Sequence, residues 1–190
     1  MCRASHPTRG IVSSRPHLKR LLVLGVIGFA SLTPSVAAQA PAAKVGTTVV
    51  LVHGAFDTGA SWNKVIPQLQ AKGLNVVSVA NPLSSLADDV AATRRVLDVQ
   101  TGPVVLVGHS WGGIVITEIG THERVKALVY VASFAPSEGQ SIDDLTKDYP
   151  RASGLDHVVA DKEGFVTMTP EGISKHFAQD LPGADTRCVA

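Results

Sequence analysis

The sequence predicts an α/β domain built on a parallel sheet, and three observations point there. Apolar, β-branched runs such as Thr47-Thr48-Val49-Val50-Leu51-Val52 are too continuous to leave one face in water. Stretches with apolar residues at helical spacing separate these runs. Strand and helix patterns alternate four times, which is the signature of crossover connections rather than hairpins.

Taken in order, the first strand covers residues 47–52 and ends at His53-Gly54. A helix is expected over residues 61–72, where Trp62, Val65, Ile66 and Leu69 share a face, Ser61 is placed to cap and Gly73 to stop. Residues 74–80 form the next strand, broken by Asn81-Pro82. Leu86, Val90, Thr93, Val96 and Leu97 mark a second helix, whose early Asp88-Asp89 pair suits the helix dipole. Residues 104–107 form a third buried strand, 114–119 a third helix and 125–131 a fourth strand. Beyond Ser133 the long apolar runs stop. A short helix at 142–149, a weak strand at 157–160 and a helix at 170–179 are the remaining candidates.

Composition narrows the function classes. With 45% hydrophobic and 17% charged residues the 190-residue chain is globular, neither disordered nor collagen-like. Residues 1–40 hold five basic residues and no acid, which leaves twelve basic against sixteen acidic residues and a charge near −4 for the rest. That sign gives no electrostatic case for a nucleic-acid partner. Arg15, Lys19 and Arg20 precede an apolar run from Leu21 to Ala30, and small residues follow to Ala38-Gln39-Ala40. This is the order of a secretory signal cut after Ala38 or Ala40, with an uncleaved anchor as the alternative. The run is shorter than the roughly twenty residues a bilayer span requires. The expectation is therefore an exported protein with no membrane segment in its mature form, residues 41–46 serving as a linker. Of the two cysteines, Cys2 leaves with the leader and Cys188 lies near the end, so no intrachain disulfide is expected in the mature form.

The chemistry concentrates in Gly108-His109-Ser110-Trp111-Gly112, a G-x-S-x-G pentapeptide with a strand before it and a helix after it. In that setting the serine occupies a sharp strand-to-helix turn, and the flanking glycines let neighbouring backbone approach closely. An acyl-transfer site needs two preorganised N–H donors for the oxyanion, each worth about 3 kcal/mol of barrier. The Trp111 N–H, at the positive end of the following helix, is one natural donor. The other falls in the loop after the first strand, His53-Gly54-Ala55-Phe56, with Ala55 the first choice and Phe56 the second. Phe56 is otherwise a wall of the acyl pocket, and His53 reads as a structural histidine bonding the loop backbone.

Val50-Leu51-Val52-His53-Gly54-Ala55-Phe56, Ser61-Trp62, the elbow through Gly113, and Leu128-Val129-Tyr130-Val131-Ala132-Ser133-Phe134-Ala135-Pro136 together resemble the α/β-hydrolase superfamily. The resemblance is strongest from Thr47 to Pro136 and points to the small serine esterase branch that includes plant methylesterases and hydroxynitrile lyases. It implies an α/β-hydrolase fold with its core at residues 47–134, Ser110 as nucleophile, Ala55 and Trp111 as oxyanion donors, and a lid over residues 135–190. It further implies hydrolysis of a small apolar ester through an acyl-enzyme, with no metal or cofactor. Phe56, His109 and Trp62 are the candidate substrate-contacting side chains, although large aromatics near an elbow, here Trp62 and Trp111, are more often packing residues.

A serine hydroxyl requires a base, and in this superfamily the order along the chain is serine, acid, histidine. After Val131 the superfamily pattern calls for two more strands and helices, roughly 80 to 100 residues. The chain is therefore expected to be a shortened reading of a longer hydrolase, lacking its last strands, with a frameshift near Leu181 as one origin. His157, preceded by Asp143, Asp144 and Asp148, is the remaining candidate base. His176 is assigned to a helix face, and His109 packs the wrong way to serve as base. Without a base only residual esterase activity is expected. The 125–131 strand is left as an apolar edge that invites self-association. A non-catalytic binding module and another chemistry on the same fold, a lyase or a perhydrolase, are the alternatives.

Overall fold

The computed structural model describes residues 46–183; the leader, its cleavage site, most of the expected linker and Cys188 lie outside the described residues. Four strands, β1 (Thr48–Val52), β2 (Asn75–Ser78), β3 (Val104–His109) and β4 (Val125–Val131), form one parallel sheet in the order β2-β1-β3-β4. Every residue of β1 is buried, as its unbroken apolar run requires. Because side chains alternate across a strand, Val50 and Val52 face one side and Val49 and Leu51 the other. The first side packs with Leu106, with Ala92 and Leu97 of α2 (Leu86–Asp98), and with Val115, Ile116 and Ile119 of α3 (Gly112–Ile119). The second packs with Val107 and Trp62, and with Ile66 and Leu69 of α1 (Ile66–Gln70). Each such fully buried aliphatic side chain contributes about 1.5–3 kcal/mol.

The expected helix at 61–72 is instead a 3₁₀ segment, Gly59–Lys64, followed by α1. Pro67 is the cause: in one continuous helix its ring would meet the carbonyl four residues back, and it has no N–H to donate. The cap is Thr58, whose hydroxyl accepts from the Ala60 N–H, rather than Ser61. Ser85 caps α2 by accepting from Asp88 N–H, and the Ser84 and Ser85 hydroxyls hold the exposed Asp88 carboxyl below its ordinary range.

Residues 135–183 fold apart from the sheet. They give α4 (Ile142–Thr146), shorter than expected, and a 3₁₀ turn, Ser153–His157. An antiparallel hairpin of β5 (Val158–Ala160) and β6 (Val166–Met168) follows, then α5 (Pro170–Gly172) and a single π-helical turn, Ile173–Phe177. β6 is absent from the sequence reading because Val166-Thr167-Met168 is too short to show a period. Buried Ile173 and Ala178 pack with Phe56, Met168 and Phe177, and the Phe56 and Phe177 rings meet edge to face. Among the described residues no helix is long and apolar enough to cross a membrane.

Candidate active site

β1 lies between β2 and β3, so the chain leaves β1 toward one side and later returns on the other. The crevice at such a reversal, beyond the carboxyl ends of the strands, is where open α/β sheets hold ligands. Here those ends carry His53-Gly54-Ala55 and His109-Ser110.

Ser110 has a φ of 52°, a left-handed conformation that a serine adopts only when its surroundings impose it. The surroundings are explicit. Its carbonyl accepts from Gly113 N–H at 3.0 Å, the Ser133 hydroxyl at 2.8 Å and Phe134 N–H at 3.4 Å, and its own N–H donates to the Val131 carbonyl at 3.4 Å. The chain following β4 thus pins the elbow from one side. From the other, a Cβ at Gly54 would lie 2.9 Å from Ser110 Cβ, and one at Gly112 would lie 2.5 Å from the Val52 carbonyl. Only bare backbone lets the β1 loop and the start of α3 close on the serine to this extent.

His53 is 2% exposed and fixes that loop. Its Nδ1 lies 2.9 Å from the Gly54 carbonyl and its Nε2 accepts from Asn81 N–H at 3.2 Å, a pair that the Nδ1-protonated tautomer satisfies. Asn81 Nδ2 donates in return to the His53 carbonyl. Among the described residues, neither the Ala55 nor the Trp111 amide donates a hydrogen bond, so both N–H groups of the candidate oxyanion pair are unspent. Beside them opens a cleft of about 360 Å³ lined by Ala55, Phe56, residues 83–86 and Trp111, and by residues 163–165 of the β5–β6 turn with Val166 at the start of β6.

Three expected side chains lie elsewhere. Trp62 is 7% exposed, packed with Val49, Leu51 and Val107, and does not line the cleft; its amphipathic helix face turned it into the core. His109 is half-buried, edge-on to Trp62 at 6.3 Å, and likewise away from the cleft lining, because consecutive residues of a strand point to opposite faces. Burial lowers the His109 pKa below its ordinary value; the Asp57 carboxylate opposes this and His53 adds to it. His157 stacks on His176 with ring centroids 4.6 Å apart, and His176 Nδ1 lies 2.9 Å from the Ser153 hydroxyl. Among the described residues no histidine is hydrogen-bonded to the Ser110 hydroxyl. No group of three His, Cys, Asp or Glu among them is placed to hold a metal ion.

Three residues that shape the candidate site are not singled out by the sequence. Ser133 and Asn81 leave no local signal, since each acts on backbone far along the chain. Asp89 left one: it sits three residues after Leu86 and four before Thr93, on the buried stripe of α2, and is 0% exposed rather than part of a surface pair.

A parallel sheet with a left-handed serine at its reversal point, on the turn from a strand into a helix, is the α/β-hydrolase type of fold. The chain belongs to the alpha/beta hydrolase family, whose sequence profile matches residues 49–189. It is 31% identical over 106 residues to a pyrethroid hydrolase of Sphingobium wenxiniae, covering 49% of this chain and 38% of that protein. It is 30% identical over 166 residues to methylesterase 3 of Arabidopsis thaliana, covering 72% and 62%. Among solved structures, a pyrethroid hydrolase from Sphingobium faniae superposes with a TM-score of 0.61 at 24% identity, covering 72% of this chain and 62% of that one, a likeness of fold. The chain thus spans less than two thirds of the length of the relatives it matches.

Proposed function

We propose that this chain carries the nucleophile and oxyanion half of a serine-type carboxylic ester hydrolase. Ser110 Oγ attacks the ester carbonyl carbon as its proton passes to a base, and the carbonyl oxygen takes the negative charge between the Ala55 and Trp111 amides. Collapse expels the alkoxide, which takes a proton, and water then cleaves the acyl-serine. The observation that carries this reading is Ser110 at a φ of 52°, with the undonated amides belonging to Ala55 and Trp111, two residues that line a mostly apolar cleft. The printed names of the relatives, pyrethroid hydrolase, methylesterase and carbendazim hydrolyzing esterase, support the ester class. The lining by Phe56, Leu83, Leu86 and Trp111, with Ser84, Ser85 and Glu163 as its polar members, favours a small, mostly apolar ester without negative charge.

A second reading, a binding module that keeps the pocket without the chemistry, draws on the observation that among the described residues no histidine is hydrogen-bonded to Ser110. A fluorophosphonate separates the two. Labelling of the wild-type chain at Ser110, absent in Ser110→Ala, together with slow hydrolysis of p-nitrophenyl acetate, supports the esterase. An unlabelled wild-type chain supports the binding module. With no base at all, only the roughly 10³–10⁴-fold rate gain of an oxyanion hole and binding over water is expected.

The leader in residues 1–40 supports export, to a periplasm or the medium. Amino-terminal sequencing of the exported protein is expected to begin at Gln39 or Pro41; a start at Met1 overturns it.

A further inference from the structure

Asp89 is a fully buried carboxylate that among the described residues forms no ion pair, an arrangement that costs several kcal/mol unless both oxygens are bonded. Both are. Oδ1 accepts from Leu83 N–H at 2.8 Å and Oδ2 from the Trp111 indole Nε1–H at 2.8 Å. Its backbone is fixed too, accepting from the Thr93 hydroxyl and donating to Ser85. The two donors have something in common: Leu83, held at a φ of 56°, and Trp111 both line the cleft. Trp111 also precedes α3 as its N-cap residue without a side-chain cap hydrogen bond, and its indole bond to Asp89 links that end of α3 to α2 alongside their apolar packing.

From this geometry we infer that Asp89 is a positioning residue for the candidate oxyanion donor: it holds Trp111 and Leu83 around the cleft and thereby aims the Trp111 amide at Ser110. The inference rests on the esterase reading for its consequence, but not for its structural core. Simple electrostatics predicts the opposite effect of removing the carboxylate. A buried negative charge opposes an oxyanion, so Asp89→Asn would speed reaction at Ser110 if charge were all that Asp89 contributed. Positioning requires that it slow, because an amide cannot accept from both N–H groups on both of its heavy atoms.

The chain has two tryptophans, so an amide NMR spectrum shows two indole N–H signals, and Trp111→Phe identifies which belongs to residue 111. In Asp89→Asn the Trp111 indole and backbone amide signals should both move while that of Trp62 stays. Asp88→Asn, its solvent-facing neighbour, should leave the Trp111 indole in place. Fluorophosphonate labelling should fall about tenfold in Asp89→Asn, the size of one charge-assisted hydrogen bond. Trp111→Phe should fall similarly, and the double variant no further. Unmoved Trp111 signals, faster labelling in Asp89→Asn, or wild-type labelling in Trp111→Phe overturns the inference. The Trp111→Phe rate decides it even if Asp89→Asn does not fold. If the wild-type chain is not labelled, the esterase reading has failed, and Asp89 is then judged on the Trp111 amide and indole shifts alone.

Discussion

Among the described residues, the non-glycine positions with positive φ are Phe56, Leu83, Ser110 and Ala132, and all four bear on one place. Ser110 is the elbow, Phe56 and Leu83 line the cleft, and Ala132 links the Val131 carbonyl to the Ser133 hydroxyl, both bonded to the Ser110 backbone. Such conformations cost about 1–3 kcal/mol each and persist where packing overdetermines them. Their gathering at one site says where this domain spends its stability. His109 adds a pH term. Burial lowers its folded-state pKa below 6.5, so the folded chain takes up the proton later than the unfolded chain does. Stability is then fully present above about 6.5 and declines as pH falls through that value toward the lower folded pKa. Thermal melts at pH 7.5 and pH 5.5 should show a smaller loss on acidification in His109→Gln than in the wild type; an equal loss would remove His109 from the account.

Elements carry the same logic further. α3 reaches the elbow only because its first two residues lack side chains: a Cβ at Gly113 would overlap the Ser133 hydroxyl and press on the Phe134 carbonyl. Gly113→Ala should therefore destabilise by about 3 kcal/mol and lower Tm by roughly 6–12 °C, at the upper end for overpacking. A near-wild-type melt would mean that the chain after β4 moves aside at little cost. The strands and helices through β4 were legible in the sequence because their periods run long and each is punctuated by a breaker such as Asn81-Pro82. The elbow was legible for a related reason, being a local motif between two readable elements. Pro67 is plain in the sequence, but the apolar spacing of Val65, Ile66 and Leu69 is helical across it and masks its effect. Asp89 and Ser133 were obscure for a different reason: their partners are 22 and 23 residues away in sequence, and no local pattern encodes which backbone a hydroxyl or carboxylate will meet. The 135–183 segment was hard to read throughout, because its elements run three to five residues and its small core borrows Phe56 from the β1 loop.

At the scale of the whole sheet, the edge strand among the described residues is composed like an interior one. β4 reads Val-Lys-Ala-Leu-Val-Tyr-Val, yet among the described residues it pairs only with β3, and Val129, Tyr130 and Val131 are 42%, 39% and 41% exposed. One flank of its N–H and C=O groups is thus unpaired beside an apolar surface, the combination that templates pairing with another chain. Natural edges are usually blunted by charge or proline; here Lys126 near the start of β4 is the only charged residue on the strand. Pairing of β4 with the β4 of a second copy would satisfy those groups and extend the sheet beside Val129, Tyr130 and Val131, whose side chains alternate between its two faces. The expected behaviour is concentration-dependent association in sedimentation velocity, reversed by Val129→Lys, which puts a charge in the middle of the exposed stretch. Circular dichroism of the variant checks that the sheet itself is intact. A wild-type chain that stays monomeric across the accessible concentration range, or association indifferent to Val129→Lys, would mean that β4 is covered in some other way and that the edge is not a contact between copies.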